Sequence, residues 1–352
     1  MAKVIVGMSG GVDSAVTAYL LQLAGHEVIG LTLRTWLSAD GKESRCCEID
    51  DARRVAWRLN IPYYVQNCIS DFQSRITDPF IEAYLQGTTP NPCVYCNRLI
   101  KWEGMMRSAE VMGASYVATG HYATVVQKNG RYTVQKASHA AKDQTYMLYR
   151  LSQKQLAKTL MPLGKLTKEE VRKIAQTAGL PVAQKPDSQE ICFVSDGNYA
   201  DYIEEHAAGK LSGEGDFVDE DGRKLGTHRG IIHYTVGQRK GLGIAFGEPR
   251  YVKEIRAERG EIVLGKETEL YRRQIFCQDL NFLSIPGLAT GEAIEAIVKI
   301  RYHHEGQWAR IVGIHQDLVK ITFAEAVRAP APGQSAVFYD PEGCVIGGGI
   351  IE

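Results

Sequence analysis

The stretch Val6-Gly7-Met8-Ser9-Gly10-Gly11-Val12-Asp13-Ser14 joins an apolar run to a helical pattern, and that junction narrows what the chain can fold into. Lys3–Gly7 has the continuous apolar character of a buried strand, and residues 13–23 place Val16, Leu20 and Leu23 at helical spacing. Gly25 is placed to close that helix. The rhythm then repeats: strand 28–33, helix 50–59, strand 62–65, helices near 72–85 and 99–112, strand 116–119. Alternation of this kind predicts an α/β unit, a parallel sheet covered by helices on both faces.

Further along, strands 123–127 and 132–136 read as a hairpin through Asn129-Gly130. Thr167 and Glu170 spell a capping box that opens another helix. The chain changes character after about residue 195. Residues 207–250 hold Gly-rich turns and short β-like runs, and from 271 the alternating stretches 293–300, 308–314 and 319–323 predict a small β-barrel. With 352 residues the chain is too long for one core, and three domains fit: 1–195, a central unit 196–270 with short β elements, and a barrel over 271–352. No apolar run reaches the ~20 residues needed to span a bilayer, and the start is strand-like rather than a leader, so a soluble cytoplasmic protein is expected.

Lys+Arg 41 against Asp+Glu 41 gives no net charge, yet residues 128–173 hold 11 basic and 3 acidic side chains. That segment reads either as a footprint for a polyanion or as a solvated face.

The glycines at 7, 10 and 11 let the backbone approach an anion closely, the helix start offers unpaired N–H groups, and Ser9 and Ser14 add hydroxyls. No Lys follows the glycines, so this is not a G-x-x-x-x-G-K-[ST] loop, and the three-residue step from Gly7 to Gly10 breaks the dinucleotide fingerprint. Ser-Gly-Gly-Val-Asp-Ser instead resembles the PP-loop of ATPases that split ATP into AMP and pyrophosphate. In such enzymes a substrate oxygen attacks the α-phosphorus, while the loop and a metal stabilise the departing pyrophosphate. The Mg²⁺ would ride on the ATP phosphates, with Asp13 as the nearest carboxylate.

Eight cysteines in so long a chain do not form a secreted disulfide framework. Thr89-Pro90-Asn91-Pro92-Cys93-Val94-Tyr95-Cys96-Asn97 runs from a loop into a helix with Asn97 as its expected N-cap, where a thiolate at Cys96 is favoured. A second cysteine stands in Lys185-Pro186-Asp187-Ser188-Gln189-Glu190-Ile191-Cys192-Phe193. Three readings stay open: a nucleophile and redox pair of Cys96 and Cys192; an accessory iron–sulfur or zinc site of Cys46, Cys47, Cys93 and Cys96; or inert thiols, the usual fate of residues like Cys68, Cys277 and Cys344.

Taken together, Gly7–Ser14, Thr89–Pro92, Cys96-Asn97, Thr119-Gly120-His121-Tyr122, Lys142–Tyr146, Lys185–Phe193, Tyr234–Arg239 and Pro332–Ala336 resemble the bacterial tRNA-specific 2-thiouridylase family over essentially the whole chain. The resemblance implies an N-terminal PP-loop domain of the adenine nucleotide α-hydrolase-like type, a small central domain and a C-terminal β-barrel. It implies an ATP- and Mg²⁺-dependent sulfurtransferase that replaces the C2 oxygen of the wobble uridine in tRNAs for Lys, Glu and Gln. A persulfide on Cys192, loaded by a cysteine desulfurase or a sulfur-carrier protein, would supply the sulfur. Cys96 would be the second catalytic thiol, and a Cys96–Cys192 disulfide would remain. By the same matching Gly7, Met8, Ser9, Gly10, Gly11, Val12, Asp13, Ser14, Leu33 and Gly120 would bind ATP. Asn91, Pro92 and Cys93 would meet the target base, and His121, Lys142, Asp143, Gln144, Arg301, Tyr302 and Gln334 would touch tRNA. Some members carry Asp where this chain has Cys93; a thiol with a pKa near ~8.5 does not inherit a carboxylate's acid/base role directly.

Two other classes are weighed against this: a PP-loop ligase or amidotransferase acting on a small carboxylate, which has no use for Cys96 or Cys192, and a non-catalytic RNA-binding protein, which has no use for the PP-loop.

Overall fold

The computed structural model describes residues 1–36, 48–186, 191–194, 198–207, 209–244 and 247–352. Strands β1 (Lys3–Gly7), β2 (Glu27–Arg34), β3 (Tyr63–Asn67), β4 (Tyr116–Ala118) and, after the hairpin of β5 (Ala123–Lys128) and β6 (Arg131–Lys136), β7 (Thr159–Leu160) make the chain's first layers. β1, β2, β3, β4 and β7 form one parallel sheet in the order β3-β2-β1-β4-β7. Val4, Ile5 and Val6 are fully buried, as expected of a strand covered on both faces. The chain leaves β1 toward β2 on one side and returns at β4 on the other, so the crevice beyond their carboxyl ends is a topological switch point, where open α/β sheets bind ligands. The hairpin turns through Asn129 and Gly130, both at positive φ, as a two-residue turn of matching twist requires.

Helix α1 (Val12–Leu23) follows β1, and α2 (Ile49–Leu59) follows β2. Two longer helices, α3 (69–85) and α4 (92–111), each contain a π-helical segment, Gln73–Thr77 and Asn97–Trp102. α4 corrects the sequence reading: it begins at Pro92, and Asn97 is not its N-cap. Pro92 has the fixed φ suited to a first helical residue, while Asn97 is buried inside the helix and its amide donates to the Met147 carbonyl at 3.0 Å. Cys93 therefore occupies the first turn, and Cys96 the second. Helix α5 (Lys168–Thr177) carries the expected capping box, with Thr167 N donating to Glu170 at 2.7 Å and Glu170 N to Thr167 Oγ1 at 3.2 Å.

The central unit includes a helix not foreseen, α6 (Tyr199–His206), capped by Asn198. It packs with β8 (Gly215–Val218), β9 (Lys224–His228), β10 (Tyr251–Arg256) and β11 (Glu261–Gly265), ordered β10-β11-β8-β9. The last strands, β12 (Tyr271–Phe282), β13 (Ala293–Lys299), β14 (Gln307–His315), β15 (Leu318–Arg328), β16 (Ser335–Tyr339) and β17 (Val345–Ile351), close an antiparallel barrel. Its interior follows the two-residue period, with Val319, Ile321 and Phe323 of β15 buried. The order of α/β unit, small β unit and barrel agrees with the expectation. Among the described residues no helix is long and apolar enough to cross a membrane.

The barrel is seated on the first unit through specific polar contacts. Tyr146 Oη donates to Ser335 O at 2.8 Å, Asn281 Nδ2 to Tyr149 O at 2.6 Å, and Thr133 Oγ1 to Val345 O at 2.5 Å. Arg150, whose side chain is 4% exposed, pairs with Asp279 at 2.5 Å.

Candidate active site

The loop after β1 is shaped from within. Gly10 has φ +76, and a Cβ there would meet the Glu48 carbonyl at 2.5 Å. Ser14 Oγ accepts from Ser9 N at 3.2 Å and donates to Gly11 O at 3.1 Å, which closes the loop over the start of α1. Gly120, just past β4, lies against the loop: a Cβ on it would stand 2.7 Å from the Asp13 carbonyl carbon and 2.8 Å from Ser14 N. Glycine is thus required for close packing on both sides of the switch point. The Asp13 carboxylate is held from two sides, by Lys168 Nζ at 2.8 Å to each oxygen and by Tyr122 Oη at 2.8 Å. Lys185 Nζ donates to Gly10 O at 3.2 Å and pairs with Asp51 and Glu48.

A cavity of about 270 Å³ opens here. Gly7, Met8, Ser9, Asp13, Ser14 and Gly120 form one wall; Pro92, Cys93, Cys96 and Lys101 of α4 form another, and Ile191, Cys192 and Phe193 the third. Two cysteines 96 positions apart in sequence thereby face one space with the loop. α4 can cross so near because Gly7 and Gly104 have no side chains: added Cβ atoms would meet Met105 Sδ at 2.8 Å and Leu33 at 3.2 Å. Leu33 lines the cavity as well. The Cys192 segment is pinned by its neighbour Phe193, which is buried among Phe72, Phe80 and Tyr202 with ring centroids 5.7, 5.3 and 5.1 Å away.

His121 lines the cavity with Nδ1 2.8 Å from Thr119 Oγ1 and its ring 5.5 Å from that of Trp102. Burial, and then the Lys101 charge, push it down to about 3, so the imidazole is neutral near pH 7. Among the described residues the carboxylate on the lining is Asp13, and it is ion-paired with Lys168. Three thiols, Cys93, Cys96 and Cys192, line the cavity, whereas among the described residues the side chains whose ligand atoms lie close enough together to hold a metal ion are Asp340, Glu342 and Cys344. Cys46 and Cys47, the other half of the accessory metal reading, lie outside the described residues.

The residues expected to touch tRNA divide. Gln144 and His121 line the cavity. Lys142 is half-buried, and Arg301 is exposed with Nη1 3.4 Å from Arg328 O. Tyr302 packs against Tyr146, and burial together with Asp143 and Cys93 raises its phenol. Asp143 is buried, and its Oδ1 accepts from Ala137 N at 3.2 Å and Thr145 Oγ1 at 3.0 Å, which gives it a structural task. Gln334 Nε2 donates to Thr89 O at 2.8 Å and so ties the barrel to the loop that precedes Asn91 and Pro92; Asn91 Nδ2 lies 3.5 Å from Met147 Sδ. Much of the basic segment 128–173 is spent internally: Lys128 on Asp340 and Glu342, Arg131 on Leu283 O, Arg150 on Asp279, Lys168 on Asp13, Arg172 on Ala183 O. Sequence reasoning passed over Lys101, Met105 and Ile76, all on the lining; an ionisable residue five positions after Cys96 was the available signal for Lys101.

Residues 2–196 match the family described as the tRNA methyl transferase HUP domain, 200–266 the tRNA methyl transferase PRC-barrel domain, and 272–351 the aminomethyltransferase beta-barrel domain. The tRNA-specific 2-thiouridylase MnmA of Lachnoclostridium phytofermentans is 50% identical over 359 residues, covering 100% of this chain and 99% of that one. The chain belongs to the tRNA-specific 2-thiouridylase family. A second member, from Clostridium kluyveri, is 47% identical over 99% of both chains. Among solved structures, the U34-tRNA thiolase NcsA from Methanococcus maripaludis matches with a TM-score of 0.36 at 21% identity, over 59% of this chain and 67% of that one.

Proposed function

We propose that the protein replaces the C2 oxygen of the wobble uridine of tRNA by sulfur at the expense of ATP, with tRNAs for Lys, Glu and Gln as substrates. The observation that carries this reading is the single cavity that unites the PP-loop with Cys96 and Cys192. Family descriptions that speak of methyl transfer leave both the thiols and the loop without a task; the thiouridylases matched over their full length give each one.

In this reading the backbone of Gly7–Ser14 and Gly120 receives ATP at the start of α1, where N–H groups point at the phosphates. The uridine leaves its stack to enter the cavity beside Pro92 and Cys93. Its O2 attacks the α-phosphorus, pyrophosphate departs, and C2 now carries AMP as a leaving group. Cys192 bears a persulfide loaded by a cysteine desulfurase or a sulfur-carrier protein. Cys96, as its thiolate, attacks Cys192 Sγ and expels hydrosulfide, which displaces AMP from C2. The product is 2-thiouridine with a Cys96–Cys192 disulfide, which a thiol reductant resets. The same balance holds if the outer persulfide sulfur attacks C2 first and Cys96 then releases it. His121, being neutral, serves as a wall and hydrogen-bonding partner for the base rather than a phosphate ligand. The units 1–195, 196–270 and 271–352 divide the work: the first holds ATP and the thiols, the second buttresses Phe193, and the barrel presents Arg301 and Tyr302, a guanidinium and an aromatic face suited to RNA.

The test supplies unmodified tRNA, ATP, Mg²⁺ and a desulfurase loaded with labelled sulfur, then digests the tRNA. Labelled 2-thiouridine from the wild type and none from Cys192→Ser is expected; ATP cleavage driven by a small carboxylate instead of tRNA would refute the reading.

A further inference from the structure

The stretch Lys185–Phe193 begins well before its cysteine, and the proposed reaction uses only its end. Lys185 stands seven positions ahead of Cys192. Its main chain is fixed to the first unit: Lys185 N donates to Val182 O at 3.0 Å, and Arg172 Nη1 of α5 donates to Lys185 O at 3.1 Å. From that anchor the side chain crosses to the phosphate loop. There Nζ donates to the Gly10 carbonyl at 3.2 Å and pairs with Glu48 and Asp51 at the head of α2.

Holding that carbonyl settles where the next N–H points. In a planar trans peptide the C=O and N–H are antiparallel, so with Gly10 O turned toward Lys185 the Gly11 N–H is turned the opposite way. It meets Ser9 Oγ at 3.4 Å, and Ser9 lines the cavity. Gly11 is the N-cap of α1, so this N–H stands at the head of a helix, where a phosphate is favoured. The bond to Ser9 is long and gives way readily to a phosphate oxygen. Two adjacent glycines, the first at φ +76, let the loop approach an anion, but the same freedom lets their shared peptide face the wrong way. The lysine removes that freedom. It also neutralises two carboxylates that lie close to the loop: a Cβ on Gly10 would stand 2.9 Å from Glu48 Cβ and 3.3 Å from Asp51 Cβ.

We infer that Lys185 is a positioning residue of the adenylation step: by holding the Gly10 carbonyl it aims the Gly11 N–H at the phosphate chain of ATP. A residue of the segment that bears the sulfur thereby completes the loop that binds the nucleotide. Lys185 keeps its proton and takes part in no bond change. The inference rests on the proposed function, and the experiment is arranged so that the two fail separately.

Full-length protein with unmodified tRNA and Mg²⁺ is assayed for exchange of labelled pyrophosphate into ATP, with ATP varied. Lys185→Met, which keeps the length and loses the charge, is expected to raise KM for ATP about tenfold. Its kcat should stay within about threefold of wild type, because the N–H binds the phosphate chain before and during the reaction alike. A loosened fold would instead lower the active fraction, and with it kcat, at unchanged KM. Lys185→Arg keeps a cation able to reach the same carbonyl and should return KM to within about threefold. Adding Asp51→Asn to Lys185→Met separates aim from charge: it removes an unpaired carboxylate but leaves the carbonyl unheld, so KM should stay at least about fivefold raised. A KM for Lys185→Met within about twofold of wild type, a loss confined to kcat, no recovery in Lys185→Arg, or a KM brought below about fivefold by Asp51→Asn overturns the inference while the proposed function stands. A wild type that exchanges no pyrophosphate into ATP with tRNA present overturns both.

Discussion

The cavity has two walls built on different principles. The phosphate wall is one short stretch of backbone, Gly7–Ser14, with Gly120 packed against it, and its shape depends on side chains that are absent. The sulfur wall is assembled from two distant segments, and its shape depends on side chains that are large: Phe193 wedged among aromatic rings, Leu33 under Gly104, Arg75 across the π turn. Binding a phosphate chain asks only for converging N–H groups, whereas bringing two thiols to one carbon asks for a braced tertiary arrangement.

The sharpest way to break this division is to remove one thiol. Cys96→Ser and Cys192→Ser are each expected to lower 2-thiouridine formation by at least about 1,000-fold while tRNA-dependent pyrophosphate release persists; equal loss of both activities would merge the two walls into one function. Gly120→Val attacks the other side. Its Cβ would stand inside van der Waals contact with the Asp13 backbone, so ATP affinity should fall about 100-fold, with persulfide loading of Cys192 retained.

The joint between the barrel and the sulfur wall comes next. Tyr95, between the two cysteines of α4, donates to Asp279 at 3.3 Å, and the Arg150 guanidinium stacks on its ring at 4.8 Å. Asp279→Ala leaves a buried guanidinium short of its partner. The carboxylate's side chain is 52% exposed, which discounts the loss to about 1–3 kcal/mol, read as an earlier urea midpoint. Thr167→Ala removes the capping box of α5 and should cost only about 1 kcal/mol in the same experiment.

Acid gives a smaller, signed effect. Because folding lowers His121 from its ordinary value near 6.5 to about 3, the unfolded chain binds the extra proton between those limits. Its contribution to stability is full above about pH 6.5 and falls as pH drops toward 3. His121→Gln should flatten the pH dependence of the urea midpoint in that window, and an unchanged slope would mean that the ring is not held neutral.

The same contrast explains what the sequence revealed. The phosphate wall was legible because it is contiguous: glycines, serines and a strand–helix junction lie within nine residues. The β-barrel was legible because alternation at a period of two survives in Val319, Ile321 and Phe323. Asn97 was misread because local capping preference favours Asn at a helix start, and only the tertiary partner Met147 reveals that it lies inside one. The basic segment stayed ambiguous because charge counts do not show that Lys128, Arg150 and Lys168 already face carboxylates. Lys101 went unnoticed because helical spacing assumes 3.6 residues per turn, and the π turn violates it.

The central claim is that two thiols in one cavity deliver sulfur to an ATP-activated base, and a single turnover tests it most directly. Protein carrying a persulfide on Cys192 is mixed anaerobically with ATP, Mg²⁺ and unmodified tRNA, without any reductant, and both tRNA and protein are then mapped by mass spectrometry. The account predicts one 2-thiouridine and one AMP per enzyme, with Cys96 and Cys192 joined in a disulfide. Repeated turnover without reductant, or product formed while both thiols remain reduced, would contradict it.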